Sequence, residues 1–220
     1  MSLALLLTAC LLAAAAACSL WYWMAVRHCR RRAIEVLRWI ELALAGQGQA
    51  TGIRWIARSC FKVPLRLTSG CFHRASAVVE FVPCHTPWGW LANHLSGFHE
   101  VLKFQADLDL PPAFSLHVHN FRWFARSSRK SPVDGRTWTF QQTGPYVIST
   151  RLDWQKEISS TMTSLATTST RDFLSLSFQR QSPQFAVTIP LESIAPGSPS
   201  RDCLFEAMRE LASSSSTRFS

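Results

Sequence analysis

The sequence predicts an α+β protein in which one N-terminal transmembrane helix precedes a mostly antiparallel sheet with helices on one face. Three observations lead there. The stretch Ser2 to Val26 carries no charged side chain and is closed by Arg27, His28, Cys29, Arg30, Arg31 and Arg32. From Ile53 onward apolar residues recur at a period near two, in short runs punctuated by proline and glycine. Helical patterns are few and fall between strand pairs rather than after every strand, which favours a segregated α+β arrangement over βαβ units.

The anchor comes first. Its 25 uncharged residues, at ~1.5 Å each, reach ~37 Å, more than the ~30 Å of bilayer hydrocarbon. Trp21, Tyr22 and Trp23 stand where an interfacial aromatic belt would lie, with Arg27, Arg30, Arg31 and Arg32 beyond them. A cleaved signal would need a basic start, and the α-amine is the only charge before Arg27. Leu7-Thr8-Ala9-Cys10 and Ala15-Ala16-Ala17-Cys18 resemble the motif before a bacterial lipoprotein's lipidated cysteine, yet both lack that basic start, and the first follows too short an apolar run. The arginines behind the span select an amino terminus outside and residues 27–220 in the cytoplasm, as in a single-pass bacterial inner-membrane protein.

The formal net charge is +9, but it is unevenly spread. Residues 1–74 hold ten Lys/Arg against Glu35 and Glu41, whereas residues 75–220 hold thirteen basic against twelve acidic side chains. Basicity gathered beside the span points to the lipid bilayer and its anionic headgroups as partners, and away from nucleic acid. Seven cysteines form no Cys-x-x-Cys pair and leave an odd count, which suits reduced thiols rather than a disulfide framework.

Residues 27–52 read as a basic juxtamembrane helix and a glycine-rich linker. Ala33, Val36, Leu37, Ile40, Ala43 and Leu44 share one side of a 3.6-residue period, with Trp39 near the membrane boundary. Two settings suit this helix: against the headgroups as a continuation of the span, or packed on the domain. Residues 53–212 form the soluble domain. Ile53–Ile56 and Phe61–Leu67 give a strand pair or one broken strand, with Pro64 arguing for an edge. Ser76–Val82 is the next strand. Thr86-Pro87 starts a short helix through Trp88, Trp90, Leu91 and Leu95. Glu100–Leu108 and Phe114–Trp123 are strands, and a polar loop from Arg126 to Arg136 follows. Thr137–Thr143 and Tyr146–Arg151 are strands, Asp153 caps a helix from Trp154 to about Leu165, and Phe173–Gln179 with Phe185–Leu191 makes a hairpin around Ser182-Pro183. Residues 53–125 and 137–191 thus share a strand-strand-helix-strand-strand order. A final helix spans 200–212, and residues 213–220 are too polar to bury anything.

No phosphate loop, nucleophile elbow or metalloprotease motif occurs, so a catalytic function is not indicated by motif. Four residues carry the sharpest chemistry: His117 and His119 on one strand, Asp107 and Asp109 on the strand before, each pair projecting to one face. Facing one another they would supply four ligands to a divalent metal; otherwise the histidines lie on the polar face of a sheet opposite buried Leu116 and Val118. Cys84-His85 precedes a helix start but has no accompanying triad. Phe121, Trp123 and Phe124 among Arg122, Arg126, Arg129, Lys130 and Arg136 suit a core strand with a solvated loop, or a headgroup-binding surface. Trp88, Trp90, Trp138 and Trp154 sit at element starts, as core anchors or as an exposed aromatic groove. The leading expectation is a membrane-anchored binding or assembly module with a protein partner or a second copy. The competing one is a membrane-tethered, metal-dependent hydrolase using the His117/His119 and Asp107/Asp109 group. A third reading is an anchored domain that regulates a neighbouring transporter.

Overall fold

The structure, a computed structural model, describes residues 3–44, 47–68, 72–82, 86–95, 99–109, 111–112, 114–120, 138–143, 146–151 and 173–194. Helix α1 runs unbroken from Leu3 to Ala43, about 61 Å at 1.5 Å per residue. Its amino-terminal half contains an 18-residue window of mean hydropathy 2.4 that is 0% buried, long and apolar enough to cross a membrane. Its second half buries Ala25, Cys29, Ala33, Val36, Trp39 and Ile40. Spacings of three and four put most of these on one stripe. One unbroken helix thus carries both the exposed apolar window and the stripe packed on the domain. Trp39, expected near the headgroups, lies in the core instead, because its position falls beside Ile40 and Val36 on the packed side.

After Leu44 the chain turns, with Gln47 and Gly48 both donating their N–H to the Leu44 carbonyl. Strands β1 (Gly48–Ala50) and β2 (Arg54–Ala57) then lie end to end along one edge of β3 (Cys60–Leu67). They are one strand broken at Gly52, whose φ of +145° is a conformation side chains rarely tolerate. Pro64 does not make β3 an edge strand, since β4 (Phe72–Glu80) pairs on its other side. Both the N–H and Oγ1 of Thr51 donate to the Pro64 carbonyl. In a strand the nitrogen and carbonyl of one residue point the same way, so the missing N–H faces the β1–β2 break and costs no ladder bond.

Thr86 caps α2 (Pro87–Leu95), accepting the Gly89 N–H at 3.1 Å, as the Thr-Pro start predicted. Strands β5 (Val101–Leu108), β6 (Leu116–Asn120), β7 (Trp138–Thr143), β8 (Tyr146–Arg151), β9 (Ser175–Phe178) and β10 (Phe185–Pro190) follow, and a 3-10 turn covers Leu191–Ile194. The sheet order is β1-β3-β4-β5-β10-β9-β6-β8-β7, with β2 also on β3, and every pairing is antiparallel. Alternation divides the sheet into an apolar and a polar face. Phe61, Val79, Leu102, Ile189 and their neighbours along the strands form one core with the carboxyl half of α1. At its centre Phe72, Phe104, Phe178 and Phe185 stack edge-on or tilted, 5.1–6.2 Å between ring centroids.

The β9–β10 hairpin inserts between β5 and β6, so strands of the two sequence halves interleave in a single sheet. The helices expected at 154–165 and 200–212, the segments 121–137 and 213–220, and Cys84-His85 lie outside the described residues. Among the described residues, α2 is the only α-helix besides α1.

Candidate functional site

The polar face carries the histidines. His117 is level with Ser177, Ala186 and Gln105 across β9, β10 and β5, and His119 is level with Ser175, Thr188 and Lys103. The two imidazoles lie nearly parallel, 6.3 Å apart. Burial pushes the His117 pKa down to about 4, helped by the neighbouring His119, and burial also lowers His119. Both shifts favour the neutral imidazole. At the far side of this face Lys103 Nζ donates to Glu80 Oε1 at 2.6 Å. Cys60 sits opposite Glu80 in register, and burial followed by that carboxylate raises its thiol pKa.

The expected neighbourhood of the His and Asp pairs is corrected by the sheet order. Between β5 and β6 stand β10 and β9, so three strand spacings, about 14 Å, separate Asp107 from the histidine strand. Asp109 instead pairs with His73 Nε2. The structure keeps His117 with His119 but does not bring the four together, and no group of three or more His, Cys, Asp or Glu side chains among the described residues is placed to hold a metal ion. The cause is topological: the chain between Leu108 and Leu116 does not return as a hairpin, and a hairpin from later in the chain fills the gap.

A second constellation surrounds α1 where its exposed half meets its packed half. Trp21 meets Trp90 of α2 edge-on at 6.1 Å between centroids. Trp88 and Leu95 are about four-fifths exposed at 80% and 78%, and Trp90 is 41% exposed, so these two tryptophans follow the exposed alternative rather than the core-anchor one. Tyr22 lies under the Arg58 guanidinium at 5.2 Å, and Trp23 under Arg27 at 5.1 Å. Trp55 and Ile56 of β2 are exposed beside them. Between these elements opens a cleft of about 440 Å³ lined by Tyr22, Val26, Arg30, Trp55, Ile56, Ala57 and Arg58.

No protein-family model and no curated protein matches this chain. Among solved structures, the crystal structure of the mycobacterial trehalose monomycolate transport factor A, TtfA, is similar at a TM-score of 0.40 and 9% identity, covering 70% of each chain.

Of the expected interface residues, Trp21, Tyr22, Trp23 and Arg27 take part in this aromatic collar and Arg30 lines the cleft. Arg32 turns to the domain, where its guanidinium donates to Glu100 at 3.1 Å and lies 3.6 Å from Glu35. Arg31 is exposed. Sequence reasoning missed Trp55, Ile56 and Arg58 as members. A signal existed: adjacent Trp55 and Ile56 cannot both face the core of an alternating strand, and α2 contains no charged residue to form a solvated side.

Proposed function

We propose that this chain is a single-pass membrane protein whose sheet domain is held against one face of the bilayer and serves there as a binding or assembly module. The observation that carries the reading is the unbroken α1, with its apolar unburied window and its domain-packed stripe on one helix. A flexible tether would let the domain wander; a shared helix keeps it at a fixed distance and orientation. The collar of Trp21, Tyr22, Trp23, Trp55, Trp88 and Trp90 supports the same reading, since amphipathic rings favour the headgroup level. The arginines after the span support a cytoplasmic domain and an external amino terminus.

Labelling of intact cells with a membrane-impermeant maleimide tests the orientation. The Ser2→Cys variant is expected to react and Arg66→Cys to match the wild-type background; the reverse pattern overturns it. Cross-linking in native membranes tests assembly. A discrete adduct is expected, at twice the 24.8 kDa chain for self-association or at another fixed mass for a partner. A monomer band alone at every cross-linker concentration overturns the assembly reading.

A further inference from the structure

The cleft at the root of the anchor has a composition that the membrane reading alone does not require. From α1 it takes Tyr22, Val26 and Arg30, spaced four apart and so on one side of the helix; from β2 and the turn after it come Trp55, Ile56, Ala57 and Arg58. Its lining contains two guanidinium groups and no carboxylate. Among the described residues neither Arg30 nor Arg58 forms a salt bridge, and Arg58 is held over the Tyr22 ring. The remaining lining is aromatic and aliphatic.

Height fixes what can enter. Tyr22 and Val26 are the last turns of the uncharged run, and Tyr22 neighbours the Trp21–Trp90 contact. The apolar wall of the cleft therefore sits at the edge of the hydrocarbon, with Arg30 about 6 Å further along the helix axis. A phosphate at that height would meet planar donors suited to its oxygens, while a chain hanging from it would run along Val26, Trp55 and Ile56.

We infer that this cleft is a site for one anionic phospholipid from the adjoining leaflet, its phosphate between Arg30 and Arg58 and its acyl chain against Val26, Trp55 and Ile56. This goes beyond a diffuse attraction of basic residues to a charged surface, because it singles out two arginines on two elements. The site rests on the membrane reading above.

The test uses the full chain reconstituted into phosphatidylcholine vesicles containing a low fraction of bromine-labelled lipid, which quenches tryptophan on contact. Brominated phosphatidylglycerol is expected to quench one component at about thirtyfold lower mole fraction than brominated phosphatidylcholine, the scale of two basic side chains acting together. That component is expected to vanish in Trp55→Phe and to lose its headgroup preference in Arg30→Gln/Arg58→Gln. The preference is expected to survive in Arg38→Gln/Arg54→Gln, which removes the same charge from α1 and β2 outside the cleft. Equal quenching by the two lipids, or a preference that persists without Arg30 and Arg58, overturns the site. Relief of quenching by soluble glycerol phosphate would show a free phosphate ester as the occupant and overturn the lipid assignment. Flotation separates the two levels: a chain that fails to float with the vesicles overturns both readings, and one that floats without headgroup preference overturns only this one.

Discussion

The shared helix makes a stability prediction with an internal control. Ile40 is 0% exposed in the core, whereas Leu42, two residues along, is 62% exposed on the other side of α1. Ile40→Ala removes three buried carbons, about 2.4 kcal/mol at 0.8 kcal/mol each. A cavity term brings the expected loss to about 3–4 kcal/mol. Urea unfolding of the full chain in mild detergent, followed by near-ultraviolet circular dichroism, reads that loss. With a slope of about 2 kcal/mol per molar urea, the midpoint falls by about 1.5–2 M. Leu42→Ala is expected to stay within about 0.5 kcal/mol of the wild type. Equal midpoints for the two variants would refute the claim that this half of α1 is part of the domain core.

Three further outcomes follow from the same geometry. His117 is expected to titrate by NMR with a midpoint of about 4; because its folded pKa lies below the ordinary 6.5, the unfolded chain binds the proton more readily, so the stability it contributes is complete above 6.5 and declines as pH falls toward 4, and His117→Gln should flatten that part of the profile. Arg32 and Glu100 join α1 to the start of β5, and a double-mutant cycle with Arg32→Gln and Glu100→Gln should give a coupling of about 0.5–1 kcal/mol that shrinks in high salt. A Cβ at Gly48 would stand 2.5 Å from the Arg66 carbonyl oxygen, so Gly48→Ala is expected to cost about 1–3 kcal/mol and to speed amide exchange in β1.

Local patterns carried much of this fold. The 3.6-residue stripe Ala33, Val36, Ile40 and Leu44 is buried as its period implied, and the alternation of β5 and the β9–β10 hairpin match the sequence reading. The extent of β4 was less legible, because a bulge between His73 and Ser76, with Arg74 at φ +46°, interrupts its alternation. Sheet order was not legible at all. Alternation shows which side of a strand is apolar but not which strand lies beside it, so Asp107 and His117 looked like neighbours until a hairpin from seventy residues later came between them. Tryptophan placement stayed open between core and surface for a related reason: Trp88 and Trp90 have the composition of core residues, and only the position of α2 against Trp21 reveals their outward setting.

The cleft and the core stripe are two readings of one helical phase. Residues 22, 26 and 30 line the cleft, and Cys29 and Ala33, three positions after Val26 and Arg30, lie in the core shared with the sheet. A step of three residues turns a helix by about 300°, so the two stripes lie only about 60° apart on α1. The sheet that buries one stripe therefore brings its own edge, β2 and the turn at Arg58, over the other. Neither set of residues would assemble the cleft alone: Tyr22 and Arg30 need the edge strand above them, and Trp55, whose ring already meets Phe61 at 5.3 Å, needs the helix to close the other wall. Packing of α1 on the core is thus what positions that edge beside the exposed apolar half of the helix, and any change that rotates the two halves of the helix relative to each other separates Arg58 from Tyr22 while leaving the apolar half and the sheet individually intact.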